Sequence, residues 1–226
     1  MNKIEFLFPN LKDNDENYVS AISKKYSEYI SYSQIPNKYI DYDIDTTILP
    51  TRLNTLFKNI KMIVDERLCL AFSVRDYSYI GYLSALLIDS YFQQTALGDD
   101  YLSNIIYVDT NLLMDDFKKL IDANGMEMAL SHNIETLYKN IEEAPVVIWD
   151  RFSMITSSYE RQKLYNILLS RYRKDLGNLY FIKNASESLA KICDREMLDV
   201  MNFNKVVSLD NEQLRYELDE KGDIKW

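Results

Sequence analysis

The sequence predicts an α/β domain with a mostly parallel five-stranded sheet and flanking helices, preceded by an N-terminal helical extension. Three observations predict it. Five short apolar runs recur, at Leu68–Phe72, Asn104–Val108, Pro145–Trp149, Leu179–Ile182 and Lys205–Leu209, and runs this continuous suit strands buried on both faces. Segments with a helical apolar period separate most of them. The first 34 residues, in contrast, are polar and tyrosine-rich.

Composition sets the outer bounds. The chain of 226 residues carries 35 acids, 26 lysines and arginines and one histidine, a formal charge of −9. That length suits one domain with a short extension. The acidic balance argues against a protein that coats DNA through net charge. No apolar run approaches the roughly 18 residues of a membrane helix, and Met1–Pro9 lacks the long apolar core of a signal peptide. A cytoplasmic protein without membrane contact is expected. Cys69 and Cys193 form no CxxC pair, and a single histidine, His132, cannot supply a Cys/His zinc site, so no metal is expected. His132 lies in a polar stretch and reads as a loop or helix-end residue, not as a triad member.

Element by element, the N-terminal extension (1–34) holds a helix over Glu16–Tyr32, with Val19, Ile22, Tyr26, Tyr29 and Ile30 at helical spacing. Tyr18, Ile22, Tyr26 and Tyr29 make a tyrosine-rich stripe, of a residue type enriched at interfaces. It is read either as a partner-binding arm or as a helix packed on the main domain. Pro36 then forces an extended approach to the main domain (35–226). A helix follows from about Pro50 to Val64. Between the strands, Tyr82, Leu83, Leu86, Leu87 and Phe92 mark a helix, and Leu112, Leu113, Phe117, Leu120 and Ile121 mark the next. Leu164, Ile167, Leu168 and Tyr172 mark a third, with Ser157 or Ser158 placed to cap it. A short helix fits Ser186–Ile192. Strand–helix alternation of this kind implies right-handed crossovers.

In such a sheet, sites form where strands end and helices begin. The first turn reads Phe72-Ser-Val-Arg-Asp-Tyr-Ser-Tyr-Ile-Gly81. A phosphate-binding loop needs glycines, a lysine for the terminal phosphates and a Ser/Thr for magnesium. This turn has one glycine, at its end, and no lysine; Asp76 would repel a phosphate. Tyr77 and Tyr79 are positioned to fill the space of a nucleotide or to stack on single-stranded bases. The third strand closes on Asp150, where P-loop ATPases hold magnesium, but Arg151 replaces the acid that polarises the attacking water. The fourth strand ends in Lys183-Asn184, a polar tip suited to sensing a terminal phosphate. On the helix after the third strand, Arg161, Lys163, Arg171, Arg173 and Lys174 are read as a solvated face with cations at the helix end, or as a surface for nucleic acid or an acidic partner.

The order of these signals resembles the AAA+ domain of DnaC/DnaI-type replicative helicase loaders, which are related to IstB-type transposition ATPases. Ile35-Pro-Asn-Lys-Tyr39 resembles the family's "IPxRY" segment and Val146-Val-Ile-Trp-Asp150 its Walker B strand. Ser158 to Tyr172 is similar to the helix ending in "I-x-x-R-Y". Leu179-Tyr-Phe-Ile-Lys-Asn184 resembles the sensor-1 strand, Ser186–Ala190 the start of the next helix, and Val206–Leu209 with Arg215 the final strand and its arginine. The match spans roughly residues 35 to 217. It implies a P-loop NTPase-like (AAA+/RecA-type) fold and a nucleotide site at Ser73, Asp76, Ser78, Tyr79, Ile80, Asp150, Arg151, Asn184 and Arg195. The departures are specific. The Walker A lysine and threonine are missing, Arg151 replaces the second acid, and the arginine that follows Arg195 in the family is Asp199 here. The resemblance thus implies a DNA-replication accessory protein that is a pseudo-ATPase without cofactor. It would bind a replicative helicase, initiator or loader, with DNA secondary and oligomerisation open. Two alternatives stand beside it: a phage or mobile-element antagonist docking on a host AAA+ protein, and an active ATP-binding loader with an atypical loop.

Overall fold

Each of the five apolar runs forms a strand. The computed structural model describes residues 3–8, 16–40, 51–74, 77, 79–96, 105–122, 128–152, 157–183, 185, 195–203, 206–209, 217–218 and 224–225. Strands β1 (Cys69–Val74), β2 (Ile105–Asp109), β3 (Val146–Asp150), β4 (Gly177–Lys183) and β5 (Val206–Ser208) make one sheet in the order β2-β3-β4-β1-β5. All its neighbours are parallel. The runs at 68–72, 145–149 and 179–182 are central, as their uninterrupted apolar character requires. A short antiparallel pair, β6 (Glu217–Leu218) and β7 (Ile224–Lys225), stands apart. β1 extends two residues further than its apolar run, because Ser73 and Val74 stay in register with Ile182 and Lys183 of β4. The first turn is correspondingly shorter.

Alternation along the strands sends side chains into two cores. Phe72, Tyr107, Ile148 and Phe181 face one, and Ala71, Val108, Trp149 and Tyr180 the other. The second core is covered by α7 (Thr110–Asp122), α8 (Met128–Glu143), α9 (Ser158–Arg173) and α10 (Arg195–Met201). Helix α9 begins as expected: the Ser157 side chain accepts the N–H of Glu160 at 3.1 Å.

The first core is built around α6 (Ile80–Thr95), which is apolar on nearly every side and buried on nearly every side. The sheet covers one flank. The rest is covered by α1 (Lys3–Leu7), α2 (Glu16–Ser33), α3 (Asn37–Ile40), α4 (Thr51–Lys58) and α5 (Ile60–Asp65). Phe92 of α6 receives the rings of Phe8, Tyr26 and Tyr29 at 6.2, 5.2 and 5.3 Å between centroids. Asp89, buried on α6, accepts the Tyr26 hydroxyl at 2.8 Å and pairs with Lys3 at 2.9 Å. Gln93 donates to the Leu7 carbonyl at 2.6 Å.

Three local expectations differ from the structure. The helix read over 50–64 breaks at Asn59, whose side-chain amide bonds back to the Thr55 carbonyl at 2.8 Å and competes with the helical ladder. Leu112 and Tyr172, read as core-facing, are exposed. Helix α8 was not anticipated, although Ile134, Leu137, Tyr138 and Ile141 fall at helical spacing within it. The helix expected at Ser186–Ile192 and the side chain of His132 lie outside the described residues.

Candidate functional site at the strand tips

The carboxyl ends of β2 and β3 finish in acids held side by side. Asp109 and Asp150 are partners in the parallel register, so both side chains leave the same face of the sheet. That face is the one carrying Tyr107, and the Tyr107 hydroxyl donates to Asp150 Oδ2 at 2.6 Å. The Asp150 carbonyl accepts the Thr110 hydroxyl at 2.9 Å. Asp150 is fully buried, and its Oδ1 has no hydrogen-bond partner among the described residues. Burial pushes its carboxyl up to about 6, against the pull of the Tyr107 hydrogen bond and the Arg151 charge. Asp109 divides its two oxygens. Oδ1 accepts the N–H groups of Asn111 and Leu112 at 3.0 and 3.4 Å, capping α7. Oδ2 binds the Arg151 guanidinium at 3.1 Å. Arg151 sits in the left-handed backbone region, φ 55°, and its side chain returns across to the β2 tip.

The turn from β1 to α6 is tied to the neighbouring tips by hydroxyls. The Tyr77 hydroxyl accepts the Lys183 N–H at 2.7 Å and donates to the Phe152 carbonyl at 3.3 Å, so one side chain clamps the ends of β3 and β4. Ser73 Oγ accepts the Ala185 N–H at 3.1 Å. Ile80, the first residue of α6, is fully buried in the first core, and its N–H is already bonded to the Tyr77 carbonyl. Tyr79 precedes it, half-buried against the same core. Tyr39 lies on Gly81 so closely that any Cβ there would collide with its ring. Its ring also meets Tyr82 and Tyr107, at 5.0 and 6.4 Å. The "IPNKY" segment is therefore packed onto the start of α6, next to the tyrosine that holds Asp150.

Of the sequence-derived positions, Ser73, Tyr79, Ile80, Asp150 and Arg151 gather at this end of the sheet. Asp76, Ser78 and Asn184 lie outside the described residues. Arg195 is exposed at the head of α10, on the opposite face of the sheet. Tyr107, Asp109 and Tyr77's clamp were not among the expected site features. Asp109 carried a legible signal, since Ile105–Asp109 ends in an acid just as Val146–Asp150 does.

Two other groups of residues are placed differently from one of their readings. Ile22, Tyr26 and Tyr29 point into the first core and are buried, covering an apolar flank of α6 that no other described helix covers; the Tyr18 side chain lies outside the described residues. Arg171 is not part of a basic face. It occupies the apolar stripe of α9, seven residues after Leu164, and is completely buried. Its guanidinium donates to Asn178 Oδ1 at 2.8 Å, to the carbonyl of Ala144 at 2.9 Å, and to the carbonyls of Ile141 and Gly177. Trp149 donates to the same Asn178 oxygen at 2.9 Å, directed toward the starting end of β4 and away from the strand tips. Lys163, Arg173 and Lys174 remain exposed on or after α9 and Arg161 half-exposed.

The Tyr77, Ser73 and Tyr107 hydroxyls at this end of the sheet are engaged within the chain. Ile80, at the head of α6, is buried in apolar contacts. The Tyr77 hydroxyl takes the Lys183 N–H, and the Ser73 hydroxyl takes that of Ala185. The acid-tipped strands already carry a cation, Arg151. Among the described residues no set of three His, Cys, Asp or Glu side chains converges on a metal position, and no helix is long and apolar enough to cross a membrane.

No protein-family model and no curated protein sequence matches the chain. Solved structures do. The chain resembles the crystal structure of the DnaC helicase loader at 14% identity and TM-score 0.56, over 76% of this chain and 99% of that one. It resembles the crystal structure of DnaI at 14% identity and TM-score 0.53, over 78% and 92%. AMPPCP-bound DnaA from Aquifex aeolicus matches at 11% identity and TM-score 0.49, over 84% of this chain and 53% of that one. The fold is the one seen in the DnaC and DnaI structures, a five-stranded parallel sheet flanked by helices.

Proposed function

We propose that this AAA+-like domain is a replication accessory protein that works by docking on a protein of the replication machinery, a hexameric helicase, its loader or an initiator, and not by turning over ATP. The observation that carries this reading lies in the described residues of the β1–α6 turn: Tyr77 spends its hydroxyl on the Lys183 N–H and the Phe152 carbonyl, and Tyr79 and Ile80 pack against the first core. Losing the phosphate-binding lysine or the catalytic acid typically costs several orders of magnitude in rate. The fold shared with DnaC, a helicase loader by its description, supports the class of partner. The N-terminal helices belong in this reading to the folded body, so the contact falls on surfaces of the assembled domain. DNA stays secondary, through Arg161, Lys163, Arg173 and Lys174. A cytoplasmic location follows from that work.

The test has two arms. Calorimetry of the full chain with ATP and magnesium is expected to show no micromolar binding. Size-exclusion binding to purified replicative helicase, loader and initiator is expected to yield a complex with one of them, unchanged by ATP. Hydrolysis, or a complex that requires ATP, would refute the reading.

A further inference from the structure

We propose that Arg151 is the resident counter-ion of the Asp109–Asp150 pair, and that it closes what is otherwise a site for a hard divalent cation. The proposal deepens the reading above and rests on it in one respect, that no nucleotide is needed at the strand tips. Its grounds are the oxygen inventory. Asp109 and Asp150 are register partners whose side chains leave the same side of the sheet. Asp109 Oδ1 is committed to capping α7 and Asp150 Oδ2 to the Tyr107 hydroxyl. One oxygen of each acid is left. Asp109 Oδ2 has the Arg151 guanidinium at 3.1 Å; Asp150 Oδ1 is buried and without a hydrogen-bond partner among the described residues.

Two carboxylate oxygens with no third protein ligand is the donor set of a magnesium-type ion, which keeps most of its waters and takes one or two acids. Two such acids side by side, one fully buried, repel each other unless a cation stands between them or one takes a proton. Arg151 supplies the charge from within. To do so it adopts a backbone conformation that residues with a Cβ seldom take. The guanidinium is permanently charged and cannot leave, so the strand tips stay assembled whatever the metal concentration. The domain is therefore indifferent to divalent ions by construction, and removing the guanidinium uncovers the site.

The experiment uses the full chain, with manganese(II) alone as probe and no nucleotide. Arg151→Asn removes the charge while keeping a residue that tolerates the left-handed region; Arg151→Lys retains the charge. Binding is read by electron paramagnetic resonance of the ion. Stability is read by thermal melting in manganese chloride against sodium chloride of equal ionic strength. Wild type and R151K are expected to bind no manganese and to melt unchanged. R151N is expected to bind at least about tenfold more tightly than wild type, from the loss of one nearby cation, and to gain melting temperature with the ion. Adding Asp150→Asn to R151N should abolish both responses. Equal binding by wild type and R151N, no response in R151N, or an undiminished response in the double variant would each overturn the proposal. If R151N does not fold alone, refolding in manganese is expected to restore its native circular dichroism; failure there while R151K folds also overturns it. ATP binding by the wild type would sink the proposed function and leave the manganese result to stand or fall by itself.

Discussion

Replacing Arg171 by methionine isolates the worth of the buried guanidinium that joins α9, the end of α8 and the start of β4. Methionine is long and apolar enough to occupy much of the space, so the change removes donors more than it opens a cavity. Two effects oppose each other. The variant no longer buries a cation, whose desolvation costs several kcal/mol and pulls the Arg171 group down to about 10. Against that, the carbonyls of Ile141, Ala144 and Gly177 lose a charged donor. They are main-chain groups, so no second mutation can remove them, and each buried acceptor left unpaired costs about 1–3 kcal/mol. Asn178 Oδ1 keeps the Trp149 N–H and suffers less. The net expectation is a loss of about 3–5 kcal/mol, the usual result of removing one side of a buried charged network. With a urea slope of about 2 kcal/mol per M, the unfolding midpoint followed by circular dichroism should fall by roughly 1.5–2.5 M. Arg171→Lys keeps the charge but not the planar fork, and should recover less than half of the loss. If R171M unfolds within about 0.5 kcal/mol of wild type, well under the cost of one unpaired buried carbonyl, desolvation cancels the hydrogen bonds and the reasoning fails.

Other perturbations follow from the same structure. Asp150 has a folded-state pKa raised to about 6 by burial, so the folded protein holds this proton more tightly than the unfolded chain does. Its favourable contribution is present below about pH 4 and lost as pH rises through about 6; Asp150→Asn should therefore be more stable than wild type at pH 7.5, by up to about 3 kcal/mol, and less so at pH 4 in parallel urea melts. Tyr29→Ala strips a fully buried ring from Phe92 and Tyr91 and should cost about 3–5 kcal/mol, while deletion of residues 1–34 should leave α6 uncovered and the chain unfolded by circular dichroism; a folded, cooperative truncation would show that the N-terminal helices are dispensable. Ser157→Ala should cost about 1 kcal/mol through the lost cap of α9, measured as a small midpoint shift with unchanged slope.

The sheet was legible because continuous apolar runs have few uses other than strands buried on both faces, and all five runs form the sheet. The helices were legible where their stripe was purely apolar. Arg171 shows the limit of that reading. It sits on the stripe of Leu164, Ile167 and Leu168, yet a charged residue near a helix end was equally compatible with a solvated face, and only the backbone carbonyls of α8 and β4 decide between them. The tyrosine stripe of α2 left two readings open, and the packed one is what the structure has for Ile22, Tyr26 and Tyr29. An amphipathic helix looks the same whether its partner is another protein or α6, and what settles it is that α6 is apolar all round. At the site, the missing lysine and the Asp150-Arg151 pair could be read directly. That Arg151 reaches Asp109 could not, because β2 and β3 are joined in space by register and separated in sequence by two helices.

The strand order has a consequence in time. β4 is the middle of the sheet but the fourth strand to be made, and Cys69 of β1 faces Asn178, 109 positions later. The other neighbour of β1 is β5, made later still. β2 and β3 can pair early, and α6 can gather α2, α4 and α5 around it as soon as they leave the ribosome. β1 cannot. At bacterial and eukaryotic synthesis rates it waits on the order of 5–20 s for a partner, an apolar strand with both edges open. A chain stopped before Gly177 keeps it that way permanently, so truncated products of this protein are expected to be aggregation-prone rather than partially functional.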